Sequence, residues 1–137
     1  MAITNYSANR ILDYNFGGTS YSGTLPATMY VGLSTTTPAI DGTNVTEPVA
    51  MGYARVPITN NKSTWGNANG SSLVNSIAVT FAISSGAWGT ITNVLIYDAL
   101  TTGNLWFFDA LAPSRTVATS TIVTFDPVAI TVSMSNT

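Results

Sequence analysis

The chain has 137 residues, of which only 7% are charged: four basic and six acidic side chains, with no histidine and no cysteine. An ordinary domain carries about a quarter charged residues, and this shortfall removes the imidazole base, the thiol nucleophile, the disulfide and the usual zinc ligands together. The formal net charge is −2 and Arg10, Arg55, Lys62 and Arg115 stand singly, so the basic stripe that a phosphate backbone requires is missing and no nucleic acid partner is expected.

The length fits one domain with a core that needs no staples. No apolar run reaches the length of a membrane span, and Met1-Ala2-Ile3-Thr4-Asn5 has neither the basic nor the apolar region of a signal peptide, so no membrane partner is expected. What remains to face water is Thr, Ser, Asn and Gly. These short neutral side chains lose little entropy when another protein covers them. The composition therefore predicts a building part, not an enzyme, and one that uses no cofactor.

In chain order, residues 4–16 read as a helix, with Thr4 or Asn5 as cap and Gly17-Gly18 as stop. Ala8, Ile11, Leu12 and Phe16 fall near one face, and a helix this short has to dock. It is expected to cover one end of the fold; packing on a neighbouring subunit is the sharper alternative. After Gly18 the period becomes two. Met29, Val31 and Leu33 alternate with Tyr30, Gly32 and Ser34, and a long polar loop follows over residues 35–50. Residues 53–58 form the next strand, which Pro57 confines to an edge or ends, and residues 59–71 form a second polar loop around Trp65.

The clearest alternation places Ile77, Val79, Phe81 and Ile83 on one face, and Val128, Ile130, Val132 and Met134 repeat it near the C-terminus. Residues 90–98 and 105–111, joined by Leu100-Thr101-Thr102-Gly103-Asn104, read as a hairpin that is apolar on both faces, and residues 121–125 complete the set. Seven or eight short strands with frequent turns predict an all-β fold, an antiparallel β-sandwich (jelly-roll-like) with one short N-terminal helix. The apolar hairpin exceeds what one core can hold, which predicts a dimer or trimer.

Sites for chemistry are sparse. Asp98 and Asp109 flank the hairpin, where a glycosidase pair is far less expected than turn and strand-end acids bonding local backbone. Asp41 and Glu47 share the long loop, but two acids without closer spacing make a poor calcium site, and no metal is expected. The Asn-X-Ser/Thr sequons are expected by chance in this composition. Trp65 and Tyr21 sit in polar loops; an exposed ring there stacks on sugars or anchors an interface, whereas a Trp65 folded over the sandwich end is the simpler expectation. Trp88 and Trp106 lie in strand context and are expected in the core.

A set of stretches, in this order, resembles small structural proteins encoded by tailed bacteriophages: Asn5-Tyr6-Ser7-Ala8-Asn9-Arg10-Ile11-Leu12-Asp13, Met29-Tyr30-Val31-Gly32-Leu33-Ser34-Thr35, Gly52-Tyr53-Ala54-Arg55, Ala87-Trp88-Gly89-Thr90-Ile91-Thr92, Ile96-Tyr97-Asp98-Ala99, Gly103-Asn104-Leu105-Trp106 and a Leu111–Val117 connection containing Arg115. The resemblance implies a virion part made in the host cytoplasm. Of the roles open to such proteins, a capsid decoration (cement) protein on the outer face of the head fits the charge-poor surface and the absence of a repetitive shaft. Its partners would be the major capsid protein and further copies of itself. The alternative is a tail-tip or fibre-head module that binds a host surface glycan through Trp65 and Tyr21. The expected contact regions are the N-terminal helix and the two polar loops, with Ile11, Leu12, Tyr21, Glu47, Arg55 and Trp65 as interface residues.

Overall fold

The computed structural model describes residues 1–20 and 23–134. It is mostly β with one short N-terminal helix, and its sheets are antiparallel in a sandwich-like arrangement. Among the described residues, the main sheet holds five strands in the order β1 (Ala2–Ile3), β7 (Leu105–Val117), β6 (Gly89–Tyr97), β2 (Thr28–Ser34) and β3 (Val56–Thr59). Two short ladders, β4 (Ser72–Val74) with β9 (Thr131–Ser133) and β5 (Val79–Thr80) with β8 (Thr124–Phe125), supply the second layer. Val31, Leu33, Ile91, Val94 and Ile96 of the main sheet pack with Val79, Phe81 and Ile130 of that layer. Pro57 lies on β3, at the sheet edge, as a residue without an amide donor requires.

The helix α1 (Asn5–Phe16) is capped by Thr4, whose side chain accepts from the Ser7 amide at 3.3 Å. The same hydroxyl donates to the Leu105 and Trp106 carbonyls, so one residue both caps the helix and pins it to β7. These anchors rotate the helix away from the face that its apolar residues predict. Ser7 is the buried position, Tyr6 meets Trp106 edge-on at 5.8 Å, and Leu12 and Phe16 point to solvent. Hydrogen bonds and ring contacts at the first turn outweigh the apolar count of the last one.

β6 and β7 form the expected hairpin, but β7 runs on to Val117, where a connection was expected over residues 111–117. Asn93 faces Ala110 while Ile91 faces Arg115, so four residues on β7, Leu111 to Ser114, oppose Thr92 alone. This bulge accommodates Pro113 outside the ladder and lets the strand pair again. The two strands expected from strict alternation are also shorter than predicted. Val79 and Phe81 are buried, yet Ile77 and Ile83 are 44% and 56% exposed. Val128 adopts a φ of 71° in a turn closed by Ala129 N–H to Asp126 C=O, which throws its side chain outward while Ile130 is buried. The polar segment 59–71 holds a short helix, α2 (Lys62–Trp65), capped by Asn61.

The hairpin is indeed buried on both faces, and the chain covers the second face itself. Leu95, Tyr97, Leu105 and Phe108 form a separate cluster under Tyr30 and Val45. The 35–50 segment that delivers Val45 is laced by Thr35 N–H to Thr46 C=O, Ala39 N–H to Thr43 C=O and Asn44 Nδ2 to Thr37 C=O, and its Ile40 carbonyl accepts from the Asn5 amide. The two-faced hairpin therefore does not by itself require a partner subunit.

Asn75 joins the second layer. Its fully buried amide donates to the Ile77 and Asp126 carbonyls, both at 2.8 Å, and accepts from the Ile130 amide at 2.7 Å. Asn75→Ala leaves three backbone groups unpaired, and we expect a loss of about 3 kcal/mol in urea unfolding; a variant as stable as the parent would show that water replaces these bonds.

Candidate functional site

The residues expected to mediate contacts fall into three settings. Glu47 and Arg55 form an internal node. Arg55 Nη2 lies 2.7 Å from Glu47 Oε2, and Nε donates to Oε1 at 2.9 Å. Arg55 Nη1 donates to the Ala99 and Thr102 carbonyls at 2.7 and 2.8 Å, which ties the β6–β7 turn to the long loop. The guanidinium lies 3.5 Å from the centre of the Tyr97 ring. Five planar donors allow an arginine to serve all these acceptors at once. The Tyr53 hydroxyl donates to Glu47 Oε1 at 2.7 Å and accepts from the Leu33 amide at 2.8 Å. Burial, reinforced by the Glu47 carboxylate, pushes the Tyr53 hydroxyl far above its ordinary range, so it remains a donor.

Two glycines make room for the node. A Cβ on Gly32 would stand 3.0 Å from Glu47 Oε1 and 3.2 Å from the Tyr53 oxygen, and Gly103, at φ +74°, would place one 2.6 Å from Asp98 Oδ1. Asp98 accepts from the Asn104 amide at 2.7 Å, from the Asn104 side chain at 2.9 Å and from the Trp106 indole at 3.2 Å. Asp109, in contrast, lies 3.6 Å from the Met1 amino group, so the two acids serve separate partners. Asp41 is engaged by the Thr43 amide and hydroxyl at 2.9 and 2.6 Å, while Glu47 is turned inward to Arg55.

Trp65 is the second setting. Its ring is buried at 6% exposure, held by α2, and does not offer an open face for stacking on a sugar. It forms the floor of an open groove of about 570 Å³ with Met29, Leu73, Trp106, Phe107 and Val132, rimmed by Asn60, Asn61 and Lys62. Each rim amide uses one of its two polar groups internally: Asn60 Nδ2 donates to the Pro26 carbonyl at 2.8 Å and Asn61 Oδ1 accepts from the Ser63 and Thr64 amides. The groove thus offers apolar surface with few free polar groups.

The third setting is α1. Ile11 is half-buried, whereas Leu12 and Phe16 are 55% and 84% exposed, one turn apart on the side away from Ser7. Tyr21 lies outside the described residues. Sequence reading missed the groove, because its wall comes from β2, α2, β4, β7 and β9 and no local pattern records that meeting; the paired Trp65 and Trp106 were its only signal.

The stretches that carry the phage resemblance meet around these contacts: Gly32 and Leu33, Tyr53 and Arg55, Trp88, Tyr97 and Asp98, Gly103 and Asn104. Trp88 joins through its indole, which donates to the Met51 carbonyl at 2.8 Å while its ring meets Tyr53 edge-on at 5.3 Å. The chain is a structural, fibre-like protein of a bacteriophage. It belongs to the family described as podophage GP4 fiber I protein gp80, whose model matches residues 2–133. No curated protein matches it significantly.

Replacing Glu47 by Gln leaves the Arg55 cation buried without its counter-charge. We expect Glu47→Gln to lose about 2–3 kcal/mol in denaturant unfolding, and Arg55→Met in the same chain to recover part of it. Asp98 gives a pH signature. Burial pushes its carboxyl up, but the hydrogen bonds from Asn104 and Trp106 outweigh this and hold it below the ordinary aspartate value. Its contribution is present above the unfolded value, about pH 4, and is lost as pH falls through the lower folded value. The thermal midpoint of Asp98→Asn should therefore fall less steeply below about pH 4 than that of the parent; parallel acid limbs would remove Asp98 from the account.

Proposed function

We propose that the protein is a fibre component of a podophage, present in several copies and acting mechanically without catalysis or cofactor. The observation that carries this reading is the match to a fibre-protein family over residues 2–133. The node supports it physically: Glu47 and Arg55, two of the chain's scarce charged side chains, tie the long loop to the β6–β7 turn. A mechanical part gains from such cross-links between loops, since they resist local opening under load.

A second reading, decoration of the head with the major capsid protein as partner, draws on the absence of repeats or a shaft-like stretch in the sequence. Both readings expect a virion-associated protein, and position and copy number separate them. Antibody–gold labelling of intact particles should mark the tail region at a few to tens of copies per particle. Labelling spread over the head at hundreds of copies would replace the fibre reading with decoration.

A further inference from the structure

The groove and the helix end are chemically matched, and they belong to the same chain. The groove is lined by Met29, Trp65, Leu73, Trp106 and Phe107, and its rim carries one charge, Lys62. The outward face of α1 presents Leu12 and Phe16 four residues apart, the spacing by which a helix seats two anchors in an apolar groove. Between them stands Asp13, and the last turn of the helix, which carries the negative end of its dipole, has no basic residue. Among the described residues, the exposed side chains of Asp13 and Lys62 have neither an ion pair nor a hydrogen bond. Asp13 and Lys62 are thus an exposed acid beside the apolar knob and an exposed base beside the apolar groove, and their charges are complementary.

We infer that the α1 face of one copy, Leu12 and Phe16 with Asp13, docks in the groove of a second copy of this chain, with Asp13 against Lys62. The knob and the groove are different surfaces, so two copies either exchange them reciprocally about a two-fold axis or join head-to-tail, and head-to-tail repetition closes a ring or continues along an axis. The groove suits an apolar knob better than a glycan, because its lining is dominated by Met29, Trp65, Leu73, Trp106, Phe107 and Val132. The contact deepens the fibre reading and rests on it only for the presence of several copies in one particle.

The test uses the purified full chain. Sedimentation velocity over a concentration series should show reversible association. Phe16→Asp removes the larger anchor from an exposed position, so folding is retained, as circular dichroism will check; it should weaken association at least about tenfold. Asp13→Lys and Lys62→Asp should each weaken it about fivefold, and the two together should restore it, because the pair is re-formed with reversed sign. A parent chain that stays monomeric throughout, association that survives Phe16→Asp, or a charge-swapped pair no better than its single variants overturns the proposal. Labelling of particles decides the fibre reading separately: association in solution with label on the head would keep this contact and discard that reading.

Discussion

One buried cation organises this molecule. The Arg55 side chain is 6% exposed, and removing a charge from water to that extent is tolerable only with a counter-charge and hydrogen bonds close at hand. Each guanidinium nitrogen has a partner, supplied by Glu47 from the long loop and by the Ala99 and Thr102 carbonyls of the β6–β7 turn, while the centre of the Tyr97 ring lies 3.5 Å from the guanidinium carbon. Segments separated by more than forty residues are thereby fixed to one another. Gly32 belongs to the same constraint, because a side chain on β2 at that point would occupy the space where the Glu47 and Tyr53 oxygens meet.

The constraint explains how a sheet apolar on both faces remains covered. One face of β6 is closed by the short β4–β9 and β5–β8 ladders, the other by the 35–50 segment with Val45. That segment has little apolar content to hold it in place, and hydrogen bonds take over: Ser34 Oγ donates to the Thr36 carbonyl and accepts from the Thr46 amide, and Glu47 closes the far end on Arg55. A loop that looks like a free contact arm is in fact a wall of the second core. Surfaces open to partners are therefore sought elsewhere, at the outward side of α1 and the groove floored by Trp65.

The same economy bears on the role. A surface of short neutral side chains with few charges associates through shape and apolar contact more than through long-range fields. This suits a part whose neighbours are set by assembly geometry, as in a fibre.

The sequence by itself determined the fold class, the N-terminal helix and the two-faced hairpin, and it narrowed the cap to Thr4 or Asn5 and the strand of Pro57 to an edge or an end, because these follow from periodicity, turn chemistry and the missing amide of Pro57. It also brought out Glu47, Arg55 and Trp65, though for contacts with other molecules. Only the tertiary structure decided that Arg55 faces inward, since its acceptors are backbone carbonyls of a distant turn and no local pattern announces them. The same holds for the rotation of α1, where Thr4 and Tyr6 bind β7 and leave Leu12 and Phe16 outside, and for the ends of the strands at Ile77, Ile83 and Val128, where backbone turns release side chains that alternation assigns to the core. Periodicity records which side chains prefer burial; which of them obtain it depends on hydrogen bonds between segments far apart in the chain.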